Sequence, residues 1–591
     1  MKKKLLTGNE AIAQGAWEAG VRVAAAYPGT PSTEILQNLC KYNGIYSEWS
    51  PNEKVALEVG IGASIAGARA LVTMKHVGVN VAADPLFTFS YTGVNGGLVL
   101  VSADEPGMHS SQNEQDNRHL ARAAKIPVIE PSDSQEAKDF IKLAYQISEE
   151  YDTPVMYRTT TRINHSQSLV ELEERADVPL KEYEKNQQKY IMMPAYARLR
   201  HPIVEARKAE LVQFGNSSSL NRVEWGNQRK VGIITHGISY QYVKEAFGQE
   251  VSILKLGMTY PLPHTLIADF VNSCEKVLVV EELEPFIENE IRALGLEVIG
   301  KELLTPIGEY SVQLLTEKLS PIVFGEAARE TAASKALYAI EEPAPPRPPV
   351  LCAGCPHRGA FYVFNKLKLT VAGDIGCYTL GALPPFGAMD TCICMGSSIS
   401  SAMGMEKARG KEFARKLISV IGDSTFLHTG INSLLDLVYN KGTSTVVILD
   451  NSITAMTGHQ DHPGTGRTIT QEPAPQVDLI KLVEAIGIKS IRVVDPYELM
   501  ELENILKEEL AKEEPSVIIC KRPCALIDKG SWTNPVNVDQ EICTGCKRCM
   551  KLGCPGLALH GEKVSCNETQ CTGCGLCIKV CKFDAIKAGE Q

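Results

Sequence analysis

The chain predicts a multidomain α/β protein in which parallel-sheet domains precede a small, cysteine-dense α+β module. Two observations carry that prediction. Short apolar runs such as Val21–Ala26, Ala70–Met74, Gly97–Ser102 and Pro154–Arg158 alternate with helix-length stretches such as Asn9–Glu18 and Glu53–Ala68. That is the pattern of buried parallel strands joined by crossover helices. The last fifty residues hold nine of the eighteen cysteines, too dense a set for ordinary core filling.

Composition sets the outer limits. A chain of 591 residues has room for about four domains. Hydrophobic residues are 44% and charged residues 22%, which is usual for a globular protein. The net charge of −10 argues against nucleic acid or an anionic membrane as partner. The start, Met1-Lys2-Lys3-Lys4-Leu5-Leu6, lacks an apolar run of leader length, and no stretch reaches the length of a spanning helix. Many free thiols point to a reducing, cytoplasmic setting, as in an anaerobe.

The elements follow in order. Residues 1–165 read as a first α/β domain. Residues 166–228 are charged and weakly periodic and read as a linker or helical excursion. A second α/β domain spans 229–325, opening on the strand at Lys230–Thr235 and including Lys276–Val280. Residues 326–350 contain Pro343, Pro345, Pro346, Pro348 and Pro349 and read as a Pro-rich connector. A third α/β domain spans 351–525, with strands Leu417–Ile421, Thr445–Leu449 and Ser516–Cys520, and the cysteine module occupies 538–591. Two α/β domains far apart in sequence, with a redox tail, suggest a cofactor held between domains.

The tail contains two runs, Cys543-x2-Cys546-x2-Cys549-x4-Cys554-Pro555 and Cys571-x2-Cys574-x2-Cys577-x3-Cys581. Two residues between thiolates let one loop place three sulfurs on three corners of a cube, with the fourth arriving from the other run, as in a two-cluster bacterial ferredoxin. The assignment is one 4Fe-4S cluster on Cys543, Cys546, Cys549 and Cys581, and another on Cys571, Cys574, Cys577 and Cys554. Zinc sites use cysteine pairs rather than triplets, and disulfides do not explain a duplicated triplet. The first run has one extra residue before its last cysteine, and the second ends Cys581-Lys582 without the usual proline. Cys566 is left over, as a spare thiol or an alternative ligand.

In the third domain one strand ends at Gly422-Asp423-Ser424. Another ends at Asp450-Asn451-Ser452, so that thirty residues run from Gly422 to Asn451. This resembles the G-D-G…N-N signature of thiamine diphosphate binding, with Ser424 and Asp450 as substitutions. Magnesium prefers hard oxygen donors and bridges diphosphate oxygens. Asp423 offers a carboxylate, Asn451 an amide oxygen and Ile453 a backbone carbonyl, at the sheet edge where such sites form. The stretch Asp450–Gln460 also resembles the D-N-x-x-x-x-x-T-G-x-Q segment of 2-oxoacid:ferredoxin oxidoreductases. His428 and His459 lie nearby and read as structural.

Thiamine enzymes keep a glutamate against the cofactor's aminopyrimidine ring, on a different α/β domain. Glu53-Lys54-Val55-Ala56, leading to Ala66-Gly67, resembles that motif. Glu53 is the choice and Glu58 the runner-up, on another face of the same helix. The plain alternative for Glu53 is a surface helix residue. Tyr27-Pro28-Gly29-Thr30-Pro31-Ser32-Thr33-Glu34 resembles the Y-P-x-T-P-S-T-E loop of the same oxidoreductases, which places Thr30 at the reactive end of the cofactor. Among Lys75, His76 and the stretch 109–118, Arg118 is the choice to bind a 2-oxoacid carboxylate, because a guanidinium matches it bidentately.

Cys352-Ala353-Gly354-Cys355, Cys377 after Ile375-Gly376, and Cys524 after a late strand match the positions of a further cluster in those oxidoreductases. They read either as a third 4Fe-4S site or as thiols lining a pocket. The order of motifs is similar to that of the alpha subunits of indolepyruvate:ferredoxin oxidoreductases over nearly the whole chain. That resemblance implies oxidative decarboxylation of an aryl 2-oxoacid to its acyl-coenzyme A, with thiamine diphosphate, Mg2+ and two or three clusters. It also implies electron transfer to ferredoxin, a smaller beta subunit as partner, and a hetero-oligomer built on paired alpha subunits. The competing class is a non-oxidative thiamine-dependent decarboxylase or carboligase with structural clusters.

Overall fold

The computed structural model describes residues 2–325, 345 and 347–589. The chain forms two compact units, Met1–Pro343 and Ala344–Gln591. Most of the Pro-rich connector expected over 326–350 lies outside the described residues.

The first unit is built on a seven-stranded sheet. Its order is Met258–Tyr260, Val128–Ile129, Val155–Thr160, Leu98–Asp104, Ala70–Lys75, Val23–Ala26 and Tyr46–Trp49. All neighbours are parallel except the first pair. The central strands are buried on both faces, which is why they read as unbroken apolar runs rather than as alternation. A second sheet, Lys276–Val280, Val231–His236, Ser252–Leu256 and Arg222–Glu224, packs against the first through one core. That core joins Val72 and Leu100 to Ile234, Leu254 and Val279. The edge strand Met258–Tyr260 belongs by sequence to the second segment and pairs with the first sheet, so the segments expected at 1–165 and 229–325 are stitched into one body.

Residues 166–228 are more ordered than a linker. Gln167–Leu172 pairs antiparallel with Lys2–Thr7, and Pro194–Ser217 is a 24-residue helix. The helix shows little apolar periodicity because its anchors are arginines. Arg207, buried, donates to the carbonyls of Asp152 (2.6 Å) and Ser90 (2.9 Å), and Arg200 to that of Tyr91 (2.7 Å). Arg200 also pairs with the Asp152 carboxylate (2.7 Å), and such side chains bury their stems while their heads stay on polar partners.

The second unit carries a five-stranded parallel sheet in the order Thr370–Ala372, Leu417–Gly422, Thr445–Asp450, Ser516–Lys521 and Ser490–Val494. Apolar clusters cover its two faces. The cysteine module follows as two small antiparallel pairs, Asn537–Val538 with Ile586–Lys587 and Leu557–His560 with Lys563–Cys566. Its core of Val538, Leu552, Leu576 and Ile586 also contains Tyr497, with Tyr362 and Leu499 packed against it. The module is therefore fused to the α/β domain rather than tethered to it. Among the described residues no helix is long and apolar enough to cross a membrane.

Candidate active site and iron–sulfur centres

The strands Leu417–Gly422 and Thr445–Asp450 are neighbours in register, Gly422 opposite Leu449, so Asp423 and Asn451 emerge side by side at the carboxyl edge of the sheet. Both are buried, as are Ser424 and Ile453. The Asp423 carboxylate accepts from Ser424 N (2.8 Å) and from Ser452 N (2.8 Å), which ties one strand end to the other. Ser452 adopts a left-handed backbone, φ 60°, and so turns its amide back toward the two acids. Thr454 Oγ1 donates to Ser424 Oγ at 2.8 Å. Gly422 has a steric reason. A Cβ there would meet the Tyr378 ring at 2.8 Å, and Tyr378 holds the Ile375 carbonyl through its hydroxyl (2.8 Å).

Charge at this edge is unbalanced. Burial and the neighbouring Asp423 push the Asp450 carboxyl up, and Lys521 approaches it only to 3.7 Å. Two carboxylates sharing a buried site call for a cation. The donors present, two carboxylates, an amide and the Ile453 carbonyl, are hard oxygens, which suit Mg2+ and a diphosphate. Sequence reasoning missed two histidines here. His462 Nε2 lies 3.3 Å from Asp423 Oδ2, and His357 is buried against Tyr378 with its pKa pushed down by burial to about 4. His462 sits in the irregular stretch after Asn451, where no periodicity marks it. His428 is buried in the turn that follows Asp423.

In the first unit, Glu53 opens the helix Glu53–Ile65, capped by Asn52 Oδ1 accepting from Val55 N at 2.9 Å. It is buried, whereas Glu58 is exposed and pairs with Lys54. Glu53 lies directly against Gly78, where a Cβ would come within 2.7 Å of its carboxyl. The Gly of Met74-Lys75-His76-Val77-Gly78 is thus the space that the glutamate occupies. Lys75 in turn lies against Gly29, where a Cβ would stand 3.0 Å from the Lys75 Cβ. Glu53, Lys75 and the Thr30 loop therefore gather at the carboxyl ends of neighbouring strands. Lys75 Nζ donates to Ser110 O (2.8 Å) and pairs with Glu105 (3.2 Å). His76 is buried and its Nε2 meets Asn113 O at 3.2 Å.

Arg118 does not fit the role expected of it. It is fully buried, 2.6 Å from Asp116 and 2.8 Å from Glu281, and its guanidinium also packs on Phe286 and meets His236. With two carboxylates already bound, it has no donor face for a substrate. It is a strut between the first sheet and the second. Arg118→Met should destabilise the first unit by about 3–5 kcal/mol, because two buried acids lose their counter-ion. Chemical denaturation checks this, and the KM for 2-oxoacid in the surviving folded fraction should not move.

Several cysteines of the second unit neighbour one another. Cys377 feels Cys524 and Cys352, and Cys355 feels Cys377 and Cys352. Cys554 lies with Cys571 and Cys574, Cys577 with these three, and Cys549 with Cys546 and Cys581. Cys566 neighbours Cys571. A small pocket is lined by Cys554, Cys571, Cys574 and Cys577. Burial pushes the Cys377 thiol up to about 11 and the Cys355 thiol up to about 12, so iron must displace protons to bind there. Among the described residues no three His, Cys, Asp or Glu side chains converge on a single-ion site. Thiolates around a cube each hold a different iron and stand farther apart than that.

Comparison with known proteins agrees with this geometry. Residues 374–520 match the thiamine pyrophosphate enzyme C-terminal TPP-binding domain family. Residues 14–228 match the thiamine diphosphate-binding family of pyruvate flavodoxin/ferredoxin oxidoreductases, and residues 567–587 a 4Fe-4S binding domain. The chain is 43% identical to the indolepyruvate oxidoreductase subunit IorA of Archaeoglobus fulgidus, over 99% of this chain and 97% of that one. It is 42% identical to the subunit of the same name from Pyrococcus horikoshii, over 95% and 93%. A 2-oxoglutarate:ferredoxin oxidoreductase structure from Magnetococcus marinus superposes on 54% of this chain and 65% of its own, at 18% identity and a TM-score of 0.48, too low to carry an argument. On the first two relatives, the chain belongs to the family of indolepyruvate oxidoreductase IorA subunits, thiamine diphosphate- and iron–sulfur-dependent enzymes that oxidatively decarboxylate 2-oxoacids.

Proposed function

We propose that the chain is the thiamine-bearing subunit of an aryl 2-oxoacid:ferredoxin oxidoreductase, forming an acyl-coenzyme A with a smaller beta subunit as partner. The observation that carries this is the buried pair of acids, Asp423 and Asp450, at adjoining strand ends in the unit that also gathers the cysteine sets. The name of the relatives supports the aryl substrate.

Asp423, Asn451 and the Ile453 carbonyl would hold Mg2+ and, with it, a diphosphate. Glu53, wedged against Gly78, would offer a carboxylic acid to an aminopyrimidine and hold the proton that sets the ring's tautomer. Thr30 would line the reacting end. Of the cations first considered for the substrate carboxylate, Lys75 takes the place of Arg118, because it lies beside the Thr30 loop. When bound, the cofactor would supply the nucleophilic carbon and the electron sink that decarboxylation of a 2-oxoacid needs. The cysteine sets provide one-electron carriers toward ferredoxin.

The test is iron, sulfide and thiamine analysis of protein prepared without oxygen with its partner subunit, followed by product assay with indolepyruvate and coenzyme A. Acyl-coenzyme A with reduced ferredoxin is expected. An aldehyde formed without coenzyme A and without dye reduction would replace this reading with a non-oxidative decarboxylase.

A further inference from the structure

Arg358 has no acid to answer it. It sits in the first turn of the helix His357–Leu367 and is 2% exposed. Its guanidinium donates only to carbonyls, from Nε to Cys352 O (2.8 Å), from Nη1 to Leu552 O (2.7 Å) and from Nη2 to Leu351 O. No carboxylate pairs with it among the described residues. A buried charge without a counter-charge is costly enough that proteins rarely keep one. The groups beside it that would carry negative charge once a cluster is bound are cysteines on two sides. Cys352 and Cys355 belong to the C-x2-C loop, and Cys554 follows Leu552 and Gly553. A Cβ on Gly553 would stand 3.4 Å from Arg358 Nη1, and Arg358 lines the pocket bounded by Cys554, Cys571, Cys574 and Cys577. The two cysteine loops touch at the same place, since a Cβ on Gly354 would lie 2.7 Å from Thr572 Oγ1.

We propose that Arg358 is a positioning residue and the shared counter-charge of two iron–sulfur sites, one at Cys352, Cys355, Cys377 and Cys524 and one at Cys571, Cys574, Cys577 and Cys554. This rests on reading both sets as clusters. Each cluster becomes one unit more negative when it gains an electron, and the guanidinium stays protonated throughout. A fixed cation beside both sites therefore stabilises the reduced state of each and raises both reduction potentials. The cluster on Cys543, Cys546, Cys549 and Cys581 has no such contact with Arg358, and its potential depends on it least.

The experiment compares the wild-type, Arg358→Gln and Arg358→Lys chains, prepared anaerobically with the partner subunit, by iron and sulfide analysis and by redox titration followed by electron paramagnetic resonance. In Arg358→Gln, two cluster signals should move to more negative midpoints while a third stays near its wild-type value, and Arg358→Lys should restore most of the shift. Full iron content with unmoved midpoints in Arg358→Gln would overturn the proposal, as would equal shifts in both variants. If Arg358→Gln fails to load iron, Arg358→Lys decides. Loaded clusters with near-wild-type midpoints support a need for charge, and failure of both variants shows a backbone clamp instead. Wild-type iron equal to only two clusters removes the third-cluster reading, and the shift of the tail signal then judges Arg358 alone.

Discussion

Asp423→Ala is expected to lose thiamine diphosphate on gel filtration while keeping the visible absorbance of its iron–sulfur clusters. The carboxylate is both a candidate metal donor and the clasp between two strand ends, through Ser424 N and Ser452 N. Altering groups that merely orient a metal's ligands costs about 10–100-fold in affinity, and loss of a direct donor should cost at least that. The tail module keeps its own core and should remain loaded. Thiamine content per chain, measured beside iron content, separates the two effects. Wild-type thiamine occupancy in this variant would remove Asp423 from the site.

Glu53→Gln should behave in the opposite way, keeping the cofactor and losing turnover. The amide is nearly isosteric, so the wedge against Gly78 survives, but it cannot hold the proton of a carboxylic acid. A positioned acid or base contributes about 10²–10⁴-fold, and kcat should fall within that range. Glu58→Gln is the control. Its carboxylate is exposed and paired with Lys54, and its rate should match wild type. Equal rates for wild type and Glu53→Gln would return Glu53 to the rank of an ordinary helix residue.

Four strands of the seven-stranded sheet and three of the five-stranded sheet could be read in the sequence to within a few residues, whereas the short or edge strands Tyr46–Trp49, Val128–Ile129, Met258–Tyr260, Thr370–Ala372 and Ser490–Val494 could not. Strands buried on both faces are continuous apolar runs, and Ala70–Lys75, Leu98–Asp104, Leu417–Gly422 and Thr445–Asp450 have no polar face to blur them. The segment 166–228 was obscure for the converse reason. Its long helix is held by Arg200 and Arg207 reaching to carbonyls, and charge in a sequence reads as solvent. The same ambiguity misled the choice of Arg118. A guanidinium suited to a substrate carboxylate is equally suited to Asp116 and Glu281, and only the long-range pairing with Glu281, 163 residues away, tells them apart. The burial of Glu53 against Gly78 was not readable, because the glycine marks an approach between two elements. His462 carried no local signal at all.

The tail cysteines are part of a hydrophobic core that Tyr497 shares from the neighbouring domain. Iron bound there would also act as mortar. Loss of a cube from such a seam would cost more than an electron carrier: the packing around Tyr497 would loosen and apolar side chains would meet water, so the integrity of the wire and the shape of the neighbouring domain are linked.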